Sequence, residues 1–205
     1  MRLDEALAHC PVVAILRGVR PEEVVDHAKA LYDAGIRAVE VPLNSPDPLA
    51  SIAGLVAASG SAMACGAGTV LTVAEVEAVQ GAGATFVVSP NTDPAVIARA
   101  VALWMDAAPG FATATEAFAA LTAGARHLKL FPASTYGPGH LRQLRAVLPP
   151  LIPVLAVGGV TPETFADWRA AGAGGFGLGS ELYKPGQTPA ETRAKADRVV
   201  EALGR

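Results

Sequence analysis

The sequence has few of the residues that build disulfide frameworks and metal sites. Among its 205 residues there are two cysteines and four histidines. Cys10 and Cys65 are far apart in the chain and need not pair, so we expect both to be reduced. The histidines show no metal-ligand spacing, which argues against a metal site; they are His9, His27, His127 and His140.

Charged residues are also scarce, at 17% of the chain, and the net charge is -3. A protein without a basic field is a poor partner for nucleic acid. No apolar run is long enough to span a membrane, which speaks against a membrane partner. The first residues, Met1 to Glu5, show no signal-peptide pattern. We therefore expect a cytoplasmic protein.

What is abundant is apolar sequence arranged in alternating strand and helix patterns. Hydrophobic residues make up 51% of the chain, which is typical of parallel strands buried on both faces. A short leading helix is predicted at Leu3 to His9. Eight strands follow, at Val12–Leu16, Ala38–Asn44, Met63–Gly68, Phe86–Pro90, Trp104–Ala108, His127–Pro132, Pro153–Gly159 and Gly175–Gly179.

Each predicted strand is followed by a predicted helix. Pro21, with Glu22 and Glu23 in the first turn, is expected to start the helix after the first strand. A polar, glycine-bearing loop is predicted at Ala133 to Gly139, with a helix from Gly139 to Leu148. Eight such units in one domain, residues 1–205, predict a (β/α)₈ barrel. A doubly wound open sheet is the alternative, although it would normally need fewer strands.

The sixth predicted strand carries a lysine in an apolar run. Side chains alternate along a strand, so Lys129 shares a face with His127 and Phe131. Burial of an ammonium group is costly and lowers its proton affinity, which suits Schiff-base chemistry. The alternative is a structural lysine at a strand end whose charge reaches water.

Polar residues collect where the predicted strands end, and active sites of this fold form at that end of the barrel. Glu40 is the only carboxylate inside a strand near its end, so it is the predicted general acid/base. Arg17 would hold a substrate carboxylate, and Thr69 could orient Glu40 or a water. The full set is Arg17, Glu40, Thr69, Asn91, Lys129, Ser134 and Ser180.

Two glycine-rich turns follow the last two predicted strands. Gly158-Gly159 follows the seventh strand and Gly179-Ser180 follows the eighth. Loops at these positions commonly bind phosphate through backbone N–H groups, and the Ser180 and Ser134 hydroxyls would add donors. Glycine pairs also form ordinary turns. The prediction of a phosphate site therefore depends on the position of these pairs after the seventh and eighth strands.

These motifs together resemble the class I 2-keto-3-deoxy-6-phosphogluconate and -galactonate aldolases. The resemblance covers nearly the whole chain, with the motifs in family order: Ala14–Gly18, Val39–Asn44, Gly66–Val70, Pro109-Gly110, Leu128–Pro132 and Val157–Val160. It implies a homotrimer of (β/α)₈ barrels that needs neither metal nor other cofactor. The implied reaction is reversible cleavage of a phosphorylated 2-keto-3-deoxy sugar acid to pyruvate and glyceraldehyde 3-phosphate.

The resemblance also implies a role for each site residue. The Schiff-base lysine falls on Lys129, the proton donor and acceptor on Glu40, and the substrate-carboxylate arginine on Arg17. The threonine of the glycine-rich third strand falls on Thr69. The phosphate loops fall on Gly158, Gly159, Gly179 and Ser180. One position departs from the pattern, because Ala108 stands where many members have cysteine, and no step needs that thiol.

Val157 bears on which sugar epimer is used. Members acting on the gluconate epimer tend to have threonine at this place, whereas galactonate-type members resemble this chain. A methyl group in place of a hydroxyl removes a donor for one C4 configuration, although such discrimination is usually incomplete. We therefore expect a 2-keto-3-deoxy-6-phosphogalactonate aldolase.

Three other functions stay open at this point. The first is the same reaction on the gluconate epimer. The second is a phosphosugar isomerase or epimerase on the same barrel, which would use the phosphate loops and a carboxylate but not Lys129. The third is a phosphosugar-binding module without catalysis, against which the intact set of Lys129, Glu40 and Arg17 argues.

Overall fold

The computed structural model describes residues 1–204 and forms a nearly closed barrel of parallel strands surrounded by helices, which confirms the predicted (β/α)₈ architecture. The strands are β1 Val12–Ile15, β2 Ala38–Pro42, β3 Ala64–Gly68, β4 Phe86–Val88, β5 Asp106–Ala108, β6 Gly110–Phe111, β7 Leu128–Leu130, β8 Val154–Val157 and β9 Gly175–Leu178. The helices are α1 Leu3–His9, α2 Val24–Ala34, α3 Pro48–Ser59, α4 Val73–Gly81, α5 Pro94–Ala102, α6 Ala114–Thr122, α7 Ala133–Arg145, α8 Phe165–Ala170 and α9 Pro189–Ala202, with a 3₁₀ helix at Pro162–Thr164.

The barrel closes through a strand that is split by a proline. The sheet order is β5-β4-β3-β2-β1-β9-β8-β7-β6, and only Pro109 separates its two end strands along the chain. Proline has no N–H to donate to a neighbouring strand. Its carbonyl still accepts the Lys129 N–H at 2.9 Å. Nine strand segments therefore fill the eight predicted strand positions.

Alternation along the strands separates two apolar cores. Outward-facing side chains such as Leu128 and Leu130 pack against the helices. Inward-facing side chains such as Phe86, Leu155 and Val157 fill the barrel. Leu128 and Leu130 therefore point away from the face that carries Lys129, as the alternation predicts.

Glycines on two strands make room for the large side chains inside the barrel. A Cβ atom at Gly66 would lie 2.5 Å from the ring of Phe86, and one at Gly177 would lie 2.7 Å from Val157. The glycine-rich sequences of β3 and β9 are therefore a packing requirement of this barrel.

Helix α1 closes the end of the barrel where the strands begin. Leu3 and Ala6 are fully buried in the inner core. The Arg2 guanidinium pairs with Asp106, the first residue of β5, at 2.7 Å. The buried His127 ring lies 2.7 Å from the Asp4 carboxylate. The opposite end of the barrel stays open.

Two helix starts differ from the predictions. Helix α2 begins at Val24, because residues 21–23 form a separate turn in which the Glu23 N–H donates to Arg20. Helix α7 begins at Ala133, so the predicted loop to Gly139 is wrong. Fully buried Ala133 and a hydrogen bond from the Ser134 N–H to Gly158 stabilise this first turn. The interruption lies at Gly137, which has a φ of 75°.

Candidate active site

Lys129 lies on β7 with its side chain inside the barrel. The residue is 6% exposed, and its Nζ atom lies 4.6 Å from the centre of the Phe131 ring. Burial lowers the pKa of Lys129 below its ordinary value; the Glu40 carboxylate opposes that shift and the Arg17 charge adds to it. A larger share of this amine is therefore unprotonated and nucleophilic near neutral pH than for a surface lysine.

Glu40 lies on β2 and also faces into the barrel. It is 2% exposed, and its Oε2 atom has no hydrogen-bond partner within residues 1–204. Burial raises the pKa of Glu40 to about 7, against the opposing charges of Lys129 and Arg17. A carboxyl group with this proton affinity can both accept and donate a proton at neutral pH.

Lys129 and Glu40 line one small space inside the barrel. Its other lining residues are apolar: Val13, Ile15, Val88, Leu155, Val157 and Gly177. Apolar walls keep water away from both groups, which strengthens the electrostatic interaction between them. The structure thus brings together the two residues that the sequence predicts to be catalytic.

A second cavity of about 200 Å³ adjoins this space, because Lys129, Ile15, Val157 and Gly177 line both. It contains seven of the predicted site residues: Arg17, Lys129, Val157, Gly158, Gly159, Gly179 and Ser180. Ile15, Phe131, Val160, Gly177 and Glu181 complete its lining. A passage therefore leads from the glycine loops to the buried amine.

Arg17 follows β1 at the rim of the cavity. Its Nη1 atom donates a hydrogen bond to the Asn44 side-chain oxygen, which lies beyond the end of β2. The next residue, Gly18, donates its N–H to the Ser45 hydroxyl at 2.9 Å. These two bonds tie the loop after β1 to the loop after β2, and they place a cation beside the mouth of the site.

The glycine pair after β8 has a backbone that other residues rarely adopt. Gly158 and Gly159 have φ values of 95° and 71°. A Cβ atom at Gly159 would lie 2.5 Å from the Ser134 hydroxyl. Glycine at 159 is therefore needed both for the backbone conformation and for the close approach of α7. Ser134 itself lies against this loop but does not line the cavity.

Thr69 stands apart from the other predicted residues. It follows β3 with a φ of 59°, an unusual conformation for a β-branched residue. The buried Ser89 hydroxyl donates to the carbonyl of the next residue, Val70, at 2.7 Å and so stabilises this bend. Thr69 lines neither cavity, so its orienting role stays a prediction.

Several residues at the site were not predicted from the sequence. Phe131 could have been found, because it shares the strand face of Lys129. Asn44, which binds Arg17, lies in the motif Val39–Asn44 of the family resemblance, but no role at the site was predicted for it. Glu181, at the cavity wall, has no distinguishing feature in the sequence. Their positions depend on how loops from distant parts of the chain meet at the barrel mouth.

Comparison with known proteins agrees with this geometry. Residues 3–199 match the family model described as aldolase, KDPG and KHG aldolase. The chain is 50% identical to 2-dehydro-3-deoxy-6-phosphogalactonate aldolase of Escherichia coli (strain K12) over 94% of each chain. It is 34% identical to 2-dehydro-3-deoxy-phosphogluconate aldolase of Treponema pallidum (strain Nichols) over 81% of this chain and 79% of that protein.

A solved structure described as native KDPGal structure superimposes with a TM-score of 0.93 at 50% identity, covering 95% of this chain and 94% of that one. The family match spans all eight strand positions and both predicted catalytic residues. The chain therefore belongs to the KDPG and KHG aldolase family.

Proposed function

We propose that this protein is a class I aldolase that reversibly cleaves 2-keto-3-deoxy-6-phosphogalactonate to pyruvate and D-glyceraldehyde 3-phosphate. The observation that carries the proposal is the shared apolar space between the buried Lys129 amine and the buried Glu40 carboxyl. An isomerase would have no need for the buried lysine. The 50% identity to a galactonate-type aldolase, against 34% to a gluconate-type one, supports the choice of epimer.

In the proposed mechanism, the Lys129 Nζ atom attacks the C2 ketone of the substrate and loses water to form a protonated imine. Glu40 then takes the proton of the C4 hydroxyl, and the C3–C4 bond breaks. Its electron pair moves into the imine as an enamine, and C4 leaves as the aldehyde carbon of glyceraldehyde 3-phosphate. Protonation at C3 and hydrolysis release pyruvate and restore the Lys129 amine.

The lining of the cavity supports a proposed place for each of the two charged ends of the substrate. Arg17, at the rim beside Lys129, is suited to bind the C1 carboxylate. The loops at Gly158-Gly159 and Gly179-Ser180 are suited to bind the C6 phosphate through backbone N–H groups. Val157 lines the same cavity and is suited to contact the carbon chain near C4.

The proposal is tested by pyruvate release from the two epimers, 2-keto-3-deoxy-6-phosphogalactonate and -gluconate, with chelator present. We expect turnover of both, with the galactonate epimer equal or better. A strong preference for the gluconate epimer would be consistent with the proposed mechanism but would contradict the proposed substrate. If neither epimer releases pyruvate, the proposed aldolase function is contradicted.

Borohydride reduction separates the aldolase from an isomerase or a binding protein on the same barrel. With pyruvate present, borohydride should reduce the imine and leave a stable adduct on Lys129, visible by mass spectrometry of the digested protein. The Lys129→Met variant is the matched control and should gain no mass. Failure of the wild-type protein to gain the adduct would contradict a Schiff-base mechanism.

We also propose that the protein is a homotrimer, on the strength of its family resemblance alone. Light scattering of the purified protein should give three times the mass of the chain, and a monomeric mass would contradict this.

None of the helices in residues 1–204 is both long and apolar enough to cross a membrane. Location in the cytoplasm stays a prediction from the sequence.

A further inference from the structure

The segment after β9 makes a tight turn at the wall of the cavity. The Gly179 carbonyl accepts the N–H groups of Leu182 and Tyr183, both at 2.9 Å. Ser180 and Glu181, inside this turn, line the cavity. The orientation of their peptide groups therefore decides which backbone N–H groups face a bound anion.

Lys195 of helix α9 holds this turn from outside the cavity. Its Nζ atom donates to the Ser180 carbonyl at 3.3 Å and to the Gln187 side-chain oxygen at 2.8 Å. Lys195 does not line the cavity. It therefore touches the loop through the face that a ligand in the cavity would not contact.

Because a peptide group is planar, the contact between Lys195 and the Ser180 carbonyl also fixes the orientation of the N–H that follows. The carbonyl of Ser180 and the N–H of Glu181 belong to one peptide plane and point in opposite directions. A carbonyl held toward Lys195 leaves the Glu181 N–H directed away from α9. Glu181 is also a residue of the cavity wall, so the orientation of this peptide group bears on the donors that the wall offers to a bound anion.

Gln187 fixes the position of the lysine. Its Nε2 atom donates to the Leu182 carbonyl at 2.7 Å and to the Thr192 hydroxyl at 2.6 Å. Thr192 is fully buried and lies 2.8 Å from the Nδ1 atom of the buried His27. The loop is thus connected through Gln187 to the packed interface of α2 and α9.

We propose that Lys195 is a positioning residue for phosphate recognition, acting through the Ser180 peptide group. The proposal rests on the aldolase function above and extends its phosphate subsite to a residue that does not touch the substrate. Lys195 orients the loop and so affects binding of the phosphate end. It has no part in the chemistry at Lys129.

The test compares two aldehydes in the condensation with pyruvate, D-glyceraldehyde 3-phosphate and unphosphorylated D-glyceraldehyde. In Lys195→Met we expect KM for the phosphorylated aldehyde to rise about tenfold, as for loss of a charge-assisted hydrogen bond. The kcat of this variant with the phosphorylated aldehyde should change by less than about twofold, and so should its kcat/KM with D-glyceraldehyde. Lys195→Arg, which keeps a charged donor, should restore most of the loss.

Lys29→Met is the matched control, because Lys29 lies on the exposed face of α2 and pairs with Asp33. It should leave both aldehydes unaffected. Equal loss with both aldehydes in Lys195→Met would overturn the proposal, since it would mean general damage to the barrel. An unchanged KM for the phosphorylated aldehyde would overturn it as well.

Calorimetry with inorganic phosphate provides a readout that does not need catalysis. Its dissociation constant should rise by the same factor in Lys195→Met, and an unchanged value would contradict the proposal. If the wild-type protein condenses neither aldehyde, the aldolase function fails, and the phosphate measurement still decides the role of Lys195. Lys195→Gln, which keeps a neutral donor, gives a second variant should the methionine variant fold poorly.

Discussion

Gly68 lies directly against the carboxylate of Glu40. A Cβ atom at residue 68 would be 2.6 Å from the Glu40 Oε1 atom and 2.9 Å from its carboxyl carbon. The contact follows from the pairing of β2 and β3, in which Glu40 is opposite Gly66 and Pro42 is opposite Gly68. Both inward positions of β3 beside Glu40 are therefore glycines. The carboxyl group occupies the space at Gly68, and the Phe86 ring occupies the space at Gly66.

We therefore expect Gly68→Ala to displace the carboxyl group of Glu40 from its place beside Lys129. General acid and base catalysis contributes about 100-fold or more to a rate, so kcat should fall by at least about tenfold. Gly54→Ala is the matched control, because a Cβ atom there meets nothing within 4 Å. Steady-state kinetics of pyruvate release checks both variants, and full activity in Gly68→Ala would contradict the placement of Glu40.

The raised proton affinity of Glu40 predicts a pH dependence. Burial raises the pKa of Glu40 to about 7, so below that pH the carboxyl group is protonated and cannot accept the C4 hydroxyl proton. We expect kcat/KM to rise with pH up to about 7 and then to level off. The pH at which the profile levels off is an apparent pKa of the coupled pair of Glu40 and Lys129 rather than of one group alone.

A pH profile of cleavage of the galactonate epimer measures this apparent pKa. An inflection near 4.5, the ordinary value for a glutamate, would contradict the raised pKa of Glu40. In Glu40→Gln the remaining slow rate should lose the inflection near 7. Persistence of the inflection in that variant would assign it to another group.

Val157 provides a test of epimer choice. It is 5% exposed, faces inward, and lines both cavities. Threonine has a similar shape and adds a hydroxyl group, so Val157→Thr should shift the ratio of kcat/KM values toward the gluconate epimer by about tenfold. Val157→Ala removes methyl groups without adding a donor and should not produce this shift. An unchanged ratio of kcat/KM values in Val157→Thr would mean that Val157 does not determine the choice of epimer.

Much of this architecture could be predicted from local sequence. Strand and helix patterns alternate clearly enough to indicate the barrel, and the barrel brings strand ends together. Glu40 and Lys129 could therefore be placed near each other although they are on opposite halves of the chain. The fold class and the family resemblance are confirmed by the structure and by the relatives.

The remaining features depend on tertiary contacts that local sequence does not reveal. Residues 133–139 have the composition of a loop, yet burial of Ala133 and the bond from Ser134 to Gly158 make the first turn helical. The contact from Lys195 to Ser180 joins a helix to a turn 15 residues earlier. Neither residue type nor spacing marks such a pair.

The leading helix was predicted, but its part in the barrel was not. Leu3 is fully buried among inward-facing residues, where α1 closes the end of the barrel opposite the active site. The Leu3 N–H also donates to the Asp106 carboxylate at 3.2 Å. Truncation of Leu3 would leave a cavity in this inner core, and the surrounding structure relaxes only partially around such a cavity.

We therefore expect Leu3→Ala to lower the free energy of unfolding by about 2–5 kcal/mol. Leu151→Ala is the matched control: Leu151 is 92% exposed, and its truncation should change stability by less than about 0.5 kcal/mol. Denaturant unfolding of both variants measures the difference. Because Leu3 is at the far end of the barrel, the folded Leu3→Ala variant should keep its kcat, so the loss should appear in stability alone. Similar stability of the two variants would mean that α1 lies on the barrel without closing it.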